Sequence, residues 1–87
     1  MTENFSYNAS ASRYEYHVGD AIAFAKVRRE GRKVFIDYVE APPELRGTGA
    51  AGKLMHHVMD TLRAEGVQEV VPICGYAASW IAKNGGI

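Results

Sequence analysis

The chain has 87 residues, 47% of them apolar, with ten basic and ten acidic side chains in balance. That length permits one domain, and the balanced charge gives no basis for a nucleic-acid or membrane partner. No apolar run is long enough to span a bilayer, the polar first residues lack a signal-peptide core, and a single cysteine excludes an internal disulfide.

A lone cysteine suits a reducing compartment, so a cytoplasmic protein is expected. A domain this small buries a modest share of its surface. Ligand binding or homodimer formation would therefore change its stability noticeably.

Residues 1–12 are rich in Asn, Ser and Thr without a sustained period, which predicts a flexible arm that orders against a sheet; the folded domain then spans 13–87. From Arg13 the pattern alternates, with Tyr14, Tyr16 and Val18 on one face and Arg13, Glu15 and His17 on the other. Gly19-Asp20 supplies a turn. A second strand runs from Ala21 to Arg28, with Ile22 and Phe24 opposite the small Ala21, Ala23 and Ala25. Glu30-Gly31 turns the chain again, giving a meander. Lys33 to Ala41 is rich in β-formers until Pro42-Pro43, which cannot donate to a ladder, stops it.

Apolar residues at helical spacing (Ala51, Leu54, Met55, Val58, Leu62) predict a helix from about Gly49 to Glu65, with Gly66 as its C-cap. Glu69 to Ile73 reads as a short strand. Ala77 to Lys83 reads as a second helix that packs through Trp80 and Ile81. The fold class is α/β, a mixed sheet built from an antiparallel meander followed by helix-strand-helix. The first helix links its flanking strands as a right-handed crossover.

The most informative stretch is the glycine-rich loop from Arg46 to Lys53, which opens directly into the first helix. Glycine admits φ > 0 and close backbone approach to a ligand. The first N–H groups of a helix lack intrahelical acceptors and sit at the positive end of its dipole, so an anion satisfies both. Gly47 to Gly52 spells G-x-G-x-x-G, but Glu69 would begin a strand where a dinucleotide fold needs an acid ending one. Gly47 to Lys53 spells a P-loop, but Leu54 stands where a Mg²⁺-binding hydroxyl belongs. Both matches are accidental on this reading.

Arg46-Gly47-Thr48-Gly49-Ala50-Ala51 resembles the Arg/Gln-x-x-Gly-x-Gly/Ala signature of the GNAT acetyltransferase superfamily. Pro43-Glu44-Leu45 resembles the segment that leads into it. The resemblance runs from about Arg13 to the C-terminus and is closest to short GNAT-like proteins. It implies a small N-acetyltransferase that takes acetyl-CoA as acyl donor and a small-molecule or protein amine as acceptor. It also implies that Arg46, Gly47, Thr48, Gly49, Ala50 and Ala51 hold the pyrophosphate. The strands flanking the crossover would splay, leaving the backbone of Val39, Glu40 and Ala41 to pair with the pantetheine arm. The alternatives are a CoA-binding module with little catalysis and a glycine-rich helix start with no ligand.

Acyl transfer needs a deprotonated amine, a stabilised oxyanion and a protonated leaving thiolate. The resemblance sets Ile81 where ordinary members carry a proton-donating tyrosine. Cys74, at the strand end before a helix start that favours thiolate, is a candidate covalent acyl carrier, against the role of a small buried hydrophobe. Tyr76 is a candidate proton donor, set against core packing. Glu40 is a candidate base, with Asp37 expected on the opposite face. His56 and His57 are adjacent on a helix, diverge and read as solvent-facing, and His17 reads as a surface residue. No zinc spacing occurs, and no metal is expected.

Overall fold

The structure is a computed structural model that describes residues 2–87. Five strands, β1 (Glu3–Asn8), β2 (Arg13–Val18), β3 (Ala21–Glu30), β4 (Lys33–Glu40) and β5 (Glu69–Pro72), lie in the order β1-β2-β3-β4-β5. The first four pair antiparallel. Helix α1 (Ala50–Ala64) carries the chain across to β5, which pairs parallel with β4, and α2 (Gly75–Asn84) follows.

The segment expected as an arm that orders against the sheet does so as a full strand, β1, in unbroken register with β2 from Glu3–Val18 to Asn8–Arg13; Met1 lies outside the described residues. Composition misses this strand because its polar residues hold it through the ladder and through Glu15. Glu15 is a further correction. Expected on a solvent face, it is only 7% exposed and accepts hydrogen bonds from Asn8 Nδ2 at 3.0 Å and Arg13 Nε at 2.7 Å, with His17 Nε2 at 2.9 Å. These bonds, Asn8 foremost, hold its carboxyl down at about 2 from the ordinary 4.5.

Both helices cover one face of the sheet and share a single core. The alanine row does the fitting: Ala23 and Ala25 are fully buried beneath α1, and Leu54, Met55, Val58, Met59 and Leu62 fill the space above. Burying each such large side chain contributes about 1.5–3 kcal/mol. The end of α1 is fixed by paired reverse bonds. Gly66, at φ +79, donates to Arg63 C=O at 3.1 Å, and Val67 donates to Leu62 C=O at 3.1 Å. This is the Schellman arrangement, and it needs a residue at ease with positive φ.

The other face of the sheet has no helix. Arg13 stands over the Phe24 ring at 4.1 Å and Arg28 over Phe35 at 4.5 Å, so long cationic side chains shield the rings there.

Candidate functional site

Between β4 and α1 the chain makes a 3-10 turn over Pro43–Leu45, and Leu45 plugs into the core. That anchor fixes the base of the glycine loop. Thr48 organises it further. Its hydroxyl donates to Leu45 C=O at 2.5 Å and accepts from Ala50 N–H at 3.2 Å. Gly47 and Gly49 take φ +77 and +83, and Gly49 caps the helix. Lys53 N–H makes the first helical bond, to Gly49 C=O at 3.0 Å.

Among the described residues, the N–H groups of Gly49, Ala51 and Gly52 have no acceptor. They sit at the positive helix end on an open surface, where Arg46 is exposed beside them. This is a ready anion cradle. A cleft of about 600 Å³ adjoins the loop from the β2–β3 side, rimmed by Glu3, Asp20 and Glu44 and by Lys53, which pairs with Glu3 at 3.5 Å. The loop also follows the end of β4, beyond the last residue that pairs with β5.

Between β4 and β5 the sheet opens. Ile36 C=O accepts from both Ile73 N–H at 3.0 Å and Cys74 N–H at 3.2 Å, and the ladder ends there. Pairing with β3 explains which groups the opening exposes. Val27 pairs with Ile36 and Lys26 with Tyr38, leaving Asp37 as the extra residue of a β-bulge. One extra residue shifts the alternation of the strand. Backbone groups of Arg32, Val34 and Ile36 turn toward β5; past the bulge, those of Val39 and then Ala41 do. Glu40 pairs with Phe24 and turns its backbone to β3.

The bulge also overturns the expected separation of the acids. Asp37 and Glu40 both project from the open face, because the extra residue cancels one alternation. Asp37 is tied to Arg28 at 2.6 and 2.9 Å, and this bond holds its carboxyl below the ordinary range. Glu40 accepts from the Tyr38 hydroxyl at 2.9 Å, and that bond, with the carboxylate charge, raises the Tyr38 phenol. Tyr38 stacks on Phe24 with centroids 5.9 Å apart.

Cys74 sits half-buried at the N-cap of α2 and packs against the rim of the core beside the opening. Ile73 and Tyr76 flank it, 57% and 43% exposed. Tyr76 is thus not a core residue; its partial burial raises its phenol. Its hydroxyl leans toward α1, ending near Gly52. Ile81, by contrast, is half-buried against the core. Val39, Ala41 and Cys74 all pack against the rim of the shared core, and the Tyr76 hydroxyl lies on the side of Gly52. Glu40 stands on the sheet face away from the helices.

His56 and His57 diverge and are both exposed, as their adjacent places on α1 predict, and each still lays its ring on a neighbour. His57 stacks on Phe5 at 4.8 Å and Tyr16 at 5.6 Å, and His56 meets Trp80 edge-on at 4.8 Å. Both use their rings as packing surface. Among the described residues, no group of three or more His, Cys, Asp or Glu side chains is placed to hold a metal ion. Three features escaped sequence reasoning: the bulge at Asp37, the double bond of Thr48, and the exposure of Tyr76. Only Thr48 left a signal, as a hydroxyl residue two positions before a helix start.

A family model described as GCN5-related N-acetyl-transferase matches residues 13–86. No curated protein matches the chain.

Proposed function

Since the chain belongs to the GCN5-related N-acetyltransferase family, we propose that it moves an acetyl group from acetyl-CoA to a primary amine, small or displayed on a protein. One observation carries this reading: free helix N–H groups at Ala51 and Gly52 follow, across one short loop, the end of β4 that β5 leaves unpaired. A pyrophosphate on the former lets a pantetheine arm run along the backbone of Val39 and Ala41 as a substitute strand.

The thioester then lies near Cys74. In a covalent route the Cys74 thiolate attacks the acetyl carbon, the C–S bond to CoA breaks, and the departing thiolate takes a proton from Tyr76. Attack by the amine on the new thioester restores the cysteine thiolate, and the amine's proton passes through solvent to Glu40 and from there back to the Tyr76 phenolate, which closes the cycle. In a direct route the amine attacks acetyl-CoA itself and Cys74 only packs. Either route suits a reducing cytosol, where the thiol stays free.

A second reading, CoA binding with little catalysis, draws on Ile81, an apolar residue where the sequence resemblance sets a tyrosine. Calorimetry with acetyl-CoA and with pantetheine tests binding, and incubation with labelled acetyl-CoA and a panel of amines separates the two readings. Binding without any labelled product would favour the second; equal affinity for CoA and pantetheine would remove the cradle from both.

A further inference from the structure

The sheet has two edges, and they are treated differently. An edge strand leaves a row of backbone groups that another strand can satisfy, and folds commonly blunt it with Pro, Lys, bulges or short length. β5 is blunted: it has four residues, and Pro72, whose neighbour Ile73 turns its N–H to β4, points its donor-less nitrogen outward. β1 has six residues, Glu-Asn-Phe-Ser-Tyr-Asn, with no Pro, no Lys and no bulge.

Which groups β1 offers follows from alternation. Thr2 C=O accepts from Gly19 N–H at 3.0 Å, so Thr2 faces β2, and Asn4, Ser6 and Asn8 do likewise. Glu3, Phe5 and Tyr7 therefore turn both N–H and C=O outward, and among the described residues no strand lies opposite them.

We propose that β1 pairs antiparallel with β1 of a second copy of this chain, so that one sheet runs through the dimer. The outward residues are symmetric about Phe5, and a twofold axis beside Phe5 is the arrangement that engages all three on each chain. It sets Phe5 opposite the partner's Phe5 and Tyr7 opposite the partner's Glu3. The side chains agree with that register. Tyr7 is 45% exposed with a free hydroxyl, while Glu3 commits only Oε1, to Tyr16 and Lys53, leaving Oε2 to accept. Phe5, stacked on Tyr14 at 5.6 Å and on His57, continues its aromatic row into the partner's. The contact lies at the far edge of the sheet from the β4–β5 opening, so it is independent of acyl-CoA binding.

Sedimentation velocity from micromolar to millimolar chain tests this, with Tyr7→Pro and Tyr7→Phe. Proline removes an outward N–H that the fold does not use, and phenylalanine keeps it. The wild type and Tyr7→Phe should reach twice the mass of one chain, and Tyr7→Pro should remain at one. Amide exchange on the wild type gives a reading that no variant can spoil: Phe5 and Tyr7 amides should gain protection as concentration rises. A wild type that stays monomeric throughout, a dimer that persists in Tyr7→Pro, or Phe5 and Tyr7 amides indifferent to concentration would overturn the proposal.

Discussion

The hydroxyl of Tyr76 stands 4.0 Å from where a Cβ on Gly52 would lie, with Trp80 Nε1 3.9 Å from the same point. The first turns of the two helices thus face each other, and the donors left free by α1 lie within reach of a phenol on α2. Such closeness is possible because position 52 has no side chain, yet the distances leave ordinary contact room for a methyl group.

Gly49 and Gly52 should therefore respond differently to substitution. Gly49→Val places a β-branched residue at φ +83, costing roughly 1–2 kcal/mol of stability and obstructing the cradle. CoA binding by calorimetry should be lost. Gly52→Ala should fold as well as the wild type or better, by up to about 1 kcal/mol of helix propensity, and should keep CoA affinity within a few-fold. Loss of binding in both, or in neither, would contradict the geometry.

Nucleotides should not compete. Leu54 is fully buried, so no side chain at that position can ligate Mg²⁺, and the cradle has no partner acid for a ribose. Displacement of CoA by ATP should be weak and independent of Mg²⁺. Tight, Mg²⁺-dependent ATP binding would reassign the loop.

Three substitutions divide the chemistry. If the covalent route holds, acetyl-CoA adds one acetyl mass to Cys74 that hydroxylamine removes, and Cys74→Ala abolishes both adduct and turnover with CoA affinity unchanged. Tyr76→Phe and Glu40→Gln should each slow turnover, on the order of 10²-fold for a lost proton donor or acceptor, without altering CoA affinity. Full turnover in Cys74→Ala would establish the direct route.

Acid should loosen the β1–β2 hairpin through Glu15. Its carboxyl titrates near 2 in the fold against an ordinary 4.5, so the stabilisation is complete above pH 4.5 and is lost as pH falls toward 2. Thermal melts should show Tm dropping across that window. Glu15→Gln should melt several degrees lower at neutral pH, with a flatter profile that converges on the wild type in acid. Parallel profiles would mean that other carboxylates govern acid unfolding.

Much of the fold was legible because hydrophobic period and turn chemistry are local. The bounds of β2 match the alternation of Arg13 to Val18, and α1 begins one residue after Gly49 because apolar spacing and capping agree there. The turn of the glycine loop into α1 was legible for the same reason: glycine positions and helix start are adjacent in sequence. Asp37 was not, since a bulge arises from how two strands meet and leaves no mark in either alone. Tyr76 was misread toward the core because ring composition says nothing about which side of α2 meets the sheet. β1 escaped because Asn4, Ser6 and Asn8 gain their partners only once β2 is in place.

The bulge has one more consequence, for protein engineering and for natural variation alike. What distinguishes the free end of β4 is a residue count: one position more than the opposing strand requires. Removing Asp37 would leave every other side chain chemically intact, yet return β4 to an unbroken two-residue rhythm. Val39 would keep its backbone turned to β5, and Tyr38 and Glu40 would stay on the open face, because their pairing with Ala25, Lys26 and Phe24 already skips one residue. A single-codon deletion should thus remove the bulge while preserving both the opening and the residues that line it. A second extra residue between Ile36 and Tyr38 is the change that would shift the strand's phase again.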